Sequence, residues 1–225
     1  MKAATTTRPQ VSTGYPYTTI GTAIDYRLRY YFASTPHRDL VAYDGAELLA
    51  EMYPQYSDPT QALFDDLAQF ESDPPAQRRL VESEEYQLNR HCYVLALLEQ
   101  LSRSLRSWGS SPLLACDTVN EWLNIQSEEE IQDLAALSWL FYDSHSNLLS
   151  LPCNLNPIFV GSDDVDGADA DLIVDSTSVD IKTTIKASVA KDYIYQLIGY
   201  VLLDYTNEYQ IDRIGLYMTR QGILL

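Results

Sequence analysis

Residues 167–184 read "GADADLIVDSTSVDIKTT", and they set charged side chains onto two short runs of Leu, Ile and Val that have the form of buried strands. Alternate residues of a strand share a face, so Asp180 and Lys182 point the same way, about 6 to 7 Å apart along the chain. Val179 and Ile181 are then expected to point into the core. The segment "DSTS" is a natural tight turn, and the hairpin it closes brings Asp171 alongside Asp180. Two carboxylates and an ammonium at one end of a sheet are costly to desolvate, whereas a divalent cation satisfies both acids at once. Mg2+ held by one or two carboxylates, water and a substrate phosphate is the usual arrangement for phosphate chemistry. Lys182 would then orient or deprotonate the attacking water, or neutralise charge developing on the phosphorane. The chemistry expected is metal-assisted phosphodiester hydrolysis.

Lysine usage supports the choice of Lys182. Only four of the fifteen basic residues are lysines, and three of them, Lys182, Lys186 and Lys191, fall within ten positions. Arginine stays protonated in a fixed fork, while lysine is a compact ammonium suited to chemistry.

The elements that must position these residues follow from periodicity. After Pro152, "NPIFVG" (156–161), "DLIVD" (171–175) and "SVDIKTT" (178–184) are short, β-branched and turn-bounded, hence predicted strands. "KDYIYQLIGYVLLDYT" is a predicted helix with Ile194, Leu197, Ile198, Val201, Leu202 and Tyr205 on its apolar side. Gln196 lies almost opposite, with Tyr193, Tyr200 and Leu203, so this second face is hardly solvent-like either and its amide is expected to face the site. "DRIGLYMTRQGILL" reads as a strand and a turn at Gly222. Residues 1–17 read as an extended arm, and 18–34 as a helix capped by Thr18 or Thr19 that carries Gly21 and Asp25 on one face and displays Arg27 and Arg29. Residues 45–150 read as all-helical, an insertion or subdomain within a single domain spanning 1–225. Residues 151–225 carry the sheet.

Taken in order, Asp171 before an apolar strand, the acid-x-Lys strand Asp180-Ile181-Lys182, the helix motif "QLIGY" with Gln196 and Tyr200, and the early "GTAID" with Gly21 and Asp25 resemble the PD-(D/E)XK nucleases, in particular their RecB-like exonuclease branch. The resemblance covers 157–222 and 18–34. It implies an α/β, restriction-endonuclease-like fold: a mixed central sheet flanked by helices, here with a large helical insertion. It also implies Mg2+ or Mn2+ bound by Asp171 and Asp180, with Asp25 as a further ligand. Lys182 would be the catalytic lysine, Gln196 and Tyr200 would complete the pocket, and the activity would be hydrolysis of DNA phosphodiesters in DNA processing, repair or phage defence. His is common in the family where Asp25 stands, and the four cysteines of its iron-sulfur members are missing.

Charge constrains the partners. The net charge of -17 opposes nonspecific DNA binding, which comes from Lys and Arg at phosphates. Seventeen of the 32 acids fall in residues 51–160, against five basic residues there. DNA contact is therefore assigned to Arg27, Arg29, Lys186 and Lys191, with a protein partner supplying basic surface. The acids of "ESEE" and "SEEE" cover solvated helix faces. An alternative is a catalytically silent scaffold whose acidic helices contact a protein, and a third reading is a decoy that mimics DNA. Cys92, Cys116 and Cys153 form no CxxC pair and read as buried free thiols; His37, His91 and His145 are scattered. The loop with Asp163, Asp164, Asp166 and Asp169 fails the EF-hand spacing and reads as solvated, with Asp169 as a minor extra ligand. No long apolar stretch or signal peptide is present, so no membrane is expected and the chain is placed in the cytoplasm.

Overall fold

A computed structural model describes residues 14–33, 40–72, 77–186 and 188–225. Most of the predicted N-terminal arm, His37 and the Pro-rich stretch at 73–76 lie outside them. Among the described residues the chain is mixed α/β, with seven α-helices and one five-stranded open sheet. It divides into two compact units, one of Leu140–Leu225 and one within Pro9–Trp139.

The second unit is helical: α1 (Tyr17–Phe32), α2 (Val41–Met52), α3 (Ser57–Ser72), α4 (Glu82–Arg103), α5 (Val119–Trp122) and the first part of α6 (Glu128–His145). Helix α4 is buried around most of its circumference through Leu88, Cys92, Val94, Leu95, Leu98 and Leu101, as expected of a central helix. Its first turn carries Glu82, Glu84 and Glu85, which complement the positive end of the helix dipole. Gly45 lets α2 approach α4 closely, for a Cβ there would come within 2.0 Å of the Leu98 carbonyl oxygen. Thr118 and Glu121 form a reciprocal capping box at α5. Helix α1 packs on α4 within this unit.

Two of the predicted DNA contacts are corrected here. Arg27 is fully buried and forms a bidentate pair with Glu85 at 2.8 and 2.9 Å, its guanidinium 3.9 Å from the centre of the Tyr31 ring. Arg29 is also buried and is paired with Asp25 at 2.6 Å. The sequence reading missed this because α1 is buried on several sides, which turns apparently displayed arginines into internal counter-ions.

The first unit is built on the sheet β1 (Cys153–Leu155), β2 (Leu172–Val174), β3 (Thr177–Lys182), β4 (Arg213–Met218) and β5 (Ile223–Leu224), in that order. β3 and β4 are parallel, with α7 (Lys191–Leu203) as the crossover, and the other pairs are antiparallel. The β2–β3 hairpin closes through Asp175 and Ser176, whose φ angles of 45° and 63° match a type I′ turn. Arg213 clamps this turn through the Asp175 carbonyl and carboxylate.

Three sequence expectations shift. The first strand is Cys153–Leu155, with 156–161 contributing only an isolated bridge from Ile158 to Asp169; Pro157 lacks the N–H that a continuing ladder needs. The sheet face bearing Asp180 and Lys182 is itself a core face, because it carries Ile173, Leu216 and Met218 against Leu197 and Tyr200 of α7. Val179, on the opposite face, is buried as well. Helix α7 meets the sheet with Leu197, from the predicted apolar side, together with the second face: Leu197 and Tyr200 are buried with Tyr193 and Leu203 packed beside them, while Ile198, Val201, Leu202 and Tyr205 are exposed.

Candidate active site

One position past the last paired residues of the hairpin, Leu172 opposite Val179, come Asp171 and Asp180. The turn and register therefore deliver both carboxylates to the same end of the sheet, as the sequence spacing predicts. Asp171 is half-buried, and its Oδ2 accepts a hydrogen bond from the Ile181 amide at 2.6 Å. That bond ties the acid of β2 to the backbone of β3. Asp180 is 1% exposed. An isolated carboxylate at that depth would be very costly, so a paired cation is favourable there.

Lys182 supplies one. Its Nζ lies 2.8 Å from Asp180 Oδ2 and 3.1 Å from Oδ1, and it donates at 3.1 Å to Gln196 Oε1 on α7. Gln196 Nε2 in turn donates to the Tyr200 hydroxyl at 2.5 Å. The ammonium also stands 5.1 Å from the ring centre of Tyr193, within cation–π range. Asp180, Lys182, Gln196 and Tyr200 thus form one hydrogen-bonded chain running from β3 to α7. Tyr193, Gln196 and Tyr200 reach it because i, i+3 and i+7 positions share one helix face. Burial, then the charges of Asp171, Asp180 and Asp169, raise the Tyr200 pKa to about 12 against the opposing bond from Gln196. Tyr200 therefore stays a neutral phenol in the field of three carboxylates.

The remaining predicted residues have other surroundings. Asp25 belongs to the helical unit and is the partner of Arg29. Lys186 and Lys191 are exposed. Asp163, Asp164 and Asp166 are exposed too, and Asp164 accepts from the Tyr205 hydroxyl at 2.9 Å. Asp169 is half-buried and close enough for its charge to act on Tyr200. The contact of Tyr193 with Lys182 was missed by the motif reading, although its spacing of three from Gln196 signalled a shared face. Burial raises the pKa of Cys153 to about 12 and that of Cys92 further, which keeps both as thiols.

Among the described residues no three His, Cys, Asp or Glu side chains gather as a metal cage. The donor set at the hairpin, two carboxylates on adjacent strands with one already holding a cation, still fits a small hard dication that keeps several waters. Set against protein-family models, curated proteins and solved structures, the chain matches none of them.

Proposed function

We propose that this chain is a metal-dependent nuclease of the PD-(D/E)XK kind, hydrolysing DNA phosphodiester bonds. The observation that carries the reading is the convergence of Asp171, Asp180 and Lys182 at one end of the hairpin, with Lys182 also held by Gln196. Asp171 and Asp180 would hold Mg2+ or Mn2+, which when bound polarises the phosphoryl oxygen and lowers the pKa of water. Lys182 places a positive charge where the attacking water and the developing phosphorane charge must lie. Gln196, itself bonded to Tyr200, gives that ammonium a partner on α7 besides Asp180. Asp171, bonded to the Ile181 amide, ties β2 to β3 beside Asp180.

One observation favours a second reading, a scaffold without turnover. Tyr195, Ile198 and Leu202 of α7 and Ile214 of β4 are exposed together, with Ile198, Leu202 and Ile214 lining a common groove, and clustered exposed apolar side chains are typical of protein-binding surfaces. The readings separate on cleavage of labelled DNA by the purified chain. The nuclease reading expects cutting that requires Mg2+ or Mn2+ and falls at least about a hundredfold in Asp180→Asn or Lys182→Ala. Absence of cutting with every divalent ion selects the scaffold, and robust cutting by Lys182→Ala overturns the role given to that residue.

A further inference from the structure

Both oxygens of Asp180 face one ammonium, at 2.8 and 3.1 Å from Lys182 Nζ. A dication bound by Asp171 and Asp180 needs those same oxygens. Ammonium and dication repel each other, and beside the buried Asp180 side chain, 2% exposed, that repulsion is screened less than in water. A dication at Asp180 therefore competes with the ammonium for that carboxylate.

Lys182 nevertheless has a second set of contacts that does not involve Asp180. Gln196 Oε1 accepts from it at 3.1 Å, and the face of Tyr193 lies 5.1 Å away. The Asp180 side chain is 2% exposed while that of Lys182 is 22% exposed, so the ammonium sits on the open side and can swing without disturbing the core. Its long stem permits such a swing.

We propose that Lys182 is the resident counter-ion of the metal-free site, and that a divalent ion enters by displacing it from Asp180 onto a receptacle formed by Gln196 and the Tyr193 ring. The receptacle makes Tyr193 a positioning residue. Displacement lowers the apparent metal affinity, because part of the binding free energy goes into moving the ammonium. In exchange the carboxylate is never left buried without a cation. The inference rests on the metal-binding site assigned above but not on the hydrolytic activity.

Calorimetric titration with Mn2+ at fixed salt tests it on wild type, Lys182→Met, Tyr193→Leu and Tyr193→Phe. Lys182→Met removes the competitor and should bind Mn2+ at least about tenfold tighter. Tyr193→Leu removes the π face that receives the ammonium and should bind several-fold more weakly, while Tyr193→Phe should match wild type, since phenylalanine keeps that face. Should Lys182→Met fail to fold, the contrast between Leu and Phe at position 193 decides. Unchanged or weaker Mn2+ binding by folded Lys182→Met, equal binding by the two Tyr193 variants, or no Mn2+ bound by any protein would overturn the displacement. Metal-dependent cutting without tighter binding by Lys182→Met would leave the nuclease reading standing and sink this one; tighter binding without any cutting would do the reverse.

Discussion

Asp171 has two duties that a pair of substitutions can separate. Its carboxylate holds the Ile181 amide at 2.6 Å, and it is also assigned to the cation. Asparagine keeps an acceptor for the amide but gives up the charge. Asp171→Asn should therefore unfold in urea at close to the wild-type midpoint and lose Mn2+ binding, whereas Asp171→Ala should lose metal binding and about 1 kcal/mol of stability as well. Retained Mn2+ affinity in either variant would remove Asp171 from the site. Tyr200 offers a pH test. With its folded pKa raised to about 12, chiefly by burial, against an unfolded value near 10, its contribution to stability is fully present below pH 10 and is lost as pH rises through about 12. Tyr200→Phe should flatten the loss of stability across that window. An unchanged alkaline profile would mean that the phenol is not held neutral by its surroundings.

At the scale of elements, the tight fit of α2 on α4 should be sensitive to a single methyl group. The Cβ of Gly45→Ala would meet the backbone of Leu98, which cannot rotate away, so thermal unfolding should show a loss of about 1–3 kcal/mol, as overpacked sites do. A variant as stable as wild type would mean that the two helices are not in contact there. The hairpin was legible in the sequence because its signals are local: Asp175-Ser176 is a turn pair, and the two-residue period fixes which acids meet across it. The orientation of α7 was not legible. Ile198, Val201 and Leu202 on one side and Tyr193, Tyr200 and Leu203 on the other are comparably apolar, with Leu197 on the first side, so periodicity could not choose between the faces, and tertiary packing buried Leu197 together with the face bearing Gln196. The burial of Arg27 was hidden for a related reason. Its partner Glu85 lies 58 residues away on α4, within an acidic run that reads as solvated surface. Removing that partner in Glu85→Ala should cost about 3–5 kcal/mol, the usual scale for stranding a buried charge.

At the scale of the whole molecule, charge dominates. A net charge of -17 repels the DNA backbone, and Arg27 and Arg29 are spent on internal pairs, which leaves the exposed Lys186 and Lys191 nearest in sequence to the site. Fluorescence anisotropy should show weak duplex binding by the isolated chain that falls steeply with salt and strengthens when a divalent ion or a basic partner protein is added. Tight metal-free binding at physiological salt would contradict this. Among the described residues no helix is long and apolar enough to cross a membrane. The most direct test remains the place where a metal sits. Anomalous scattering from a crystal soaked in Mn2+ should give a peak between Asp171 and Asp180, at the metal–oxygen distance of about 2.1 Å typical of a small hard dication, with Lys182 Nζ moved away from Asp180. A peak only at the acidic loop of Asp163, Asp164 and Asp166, or no peak at all with the Lys182–Asp180 pair intact, would contradict a metal-dependent site at the hairpin.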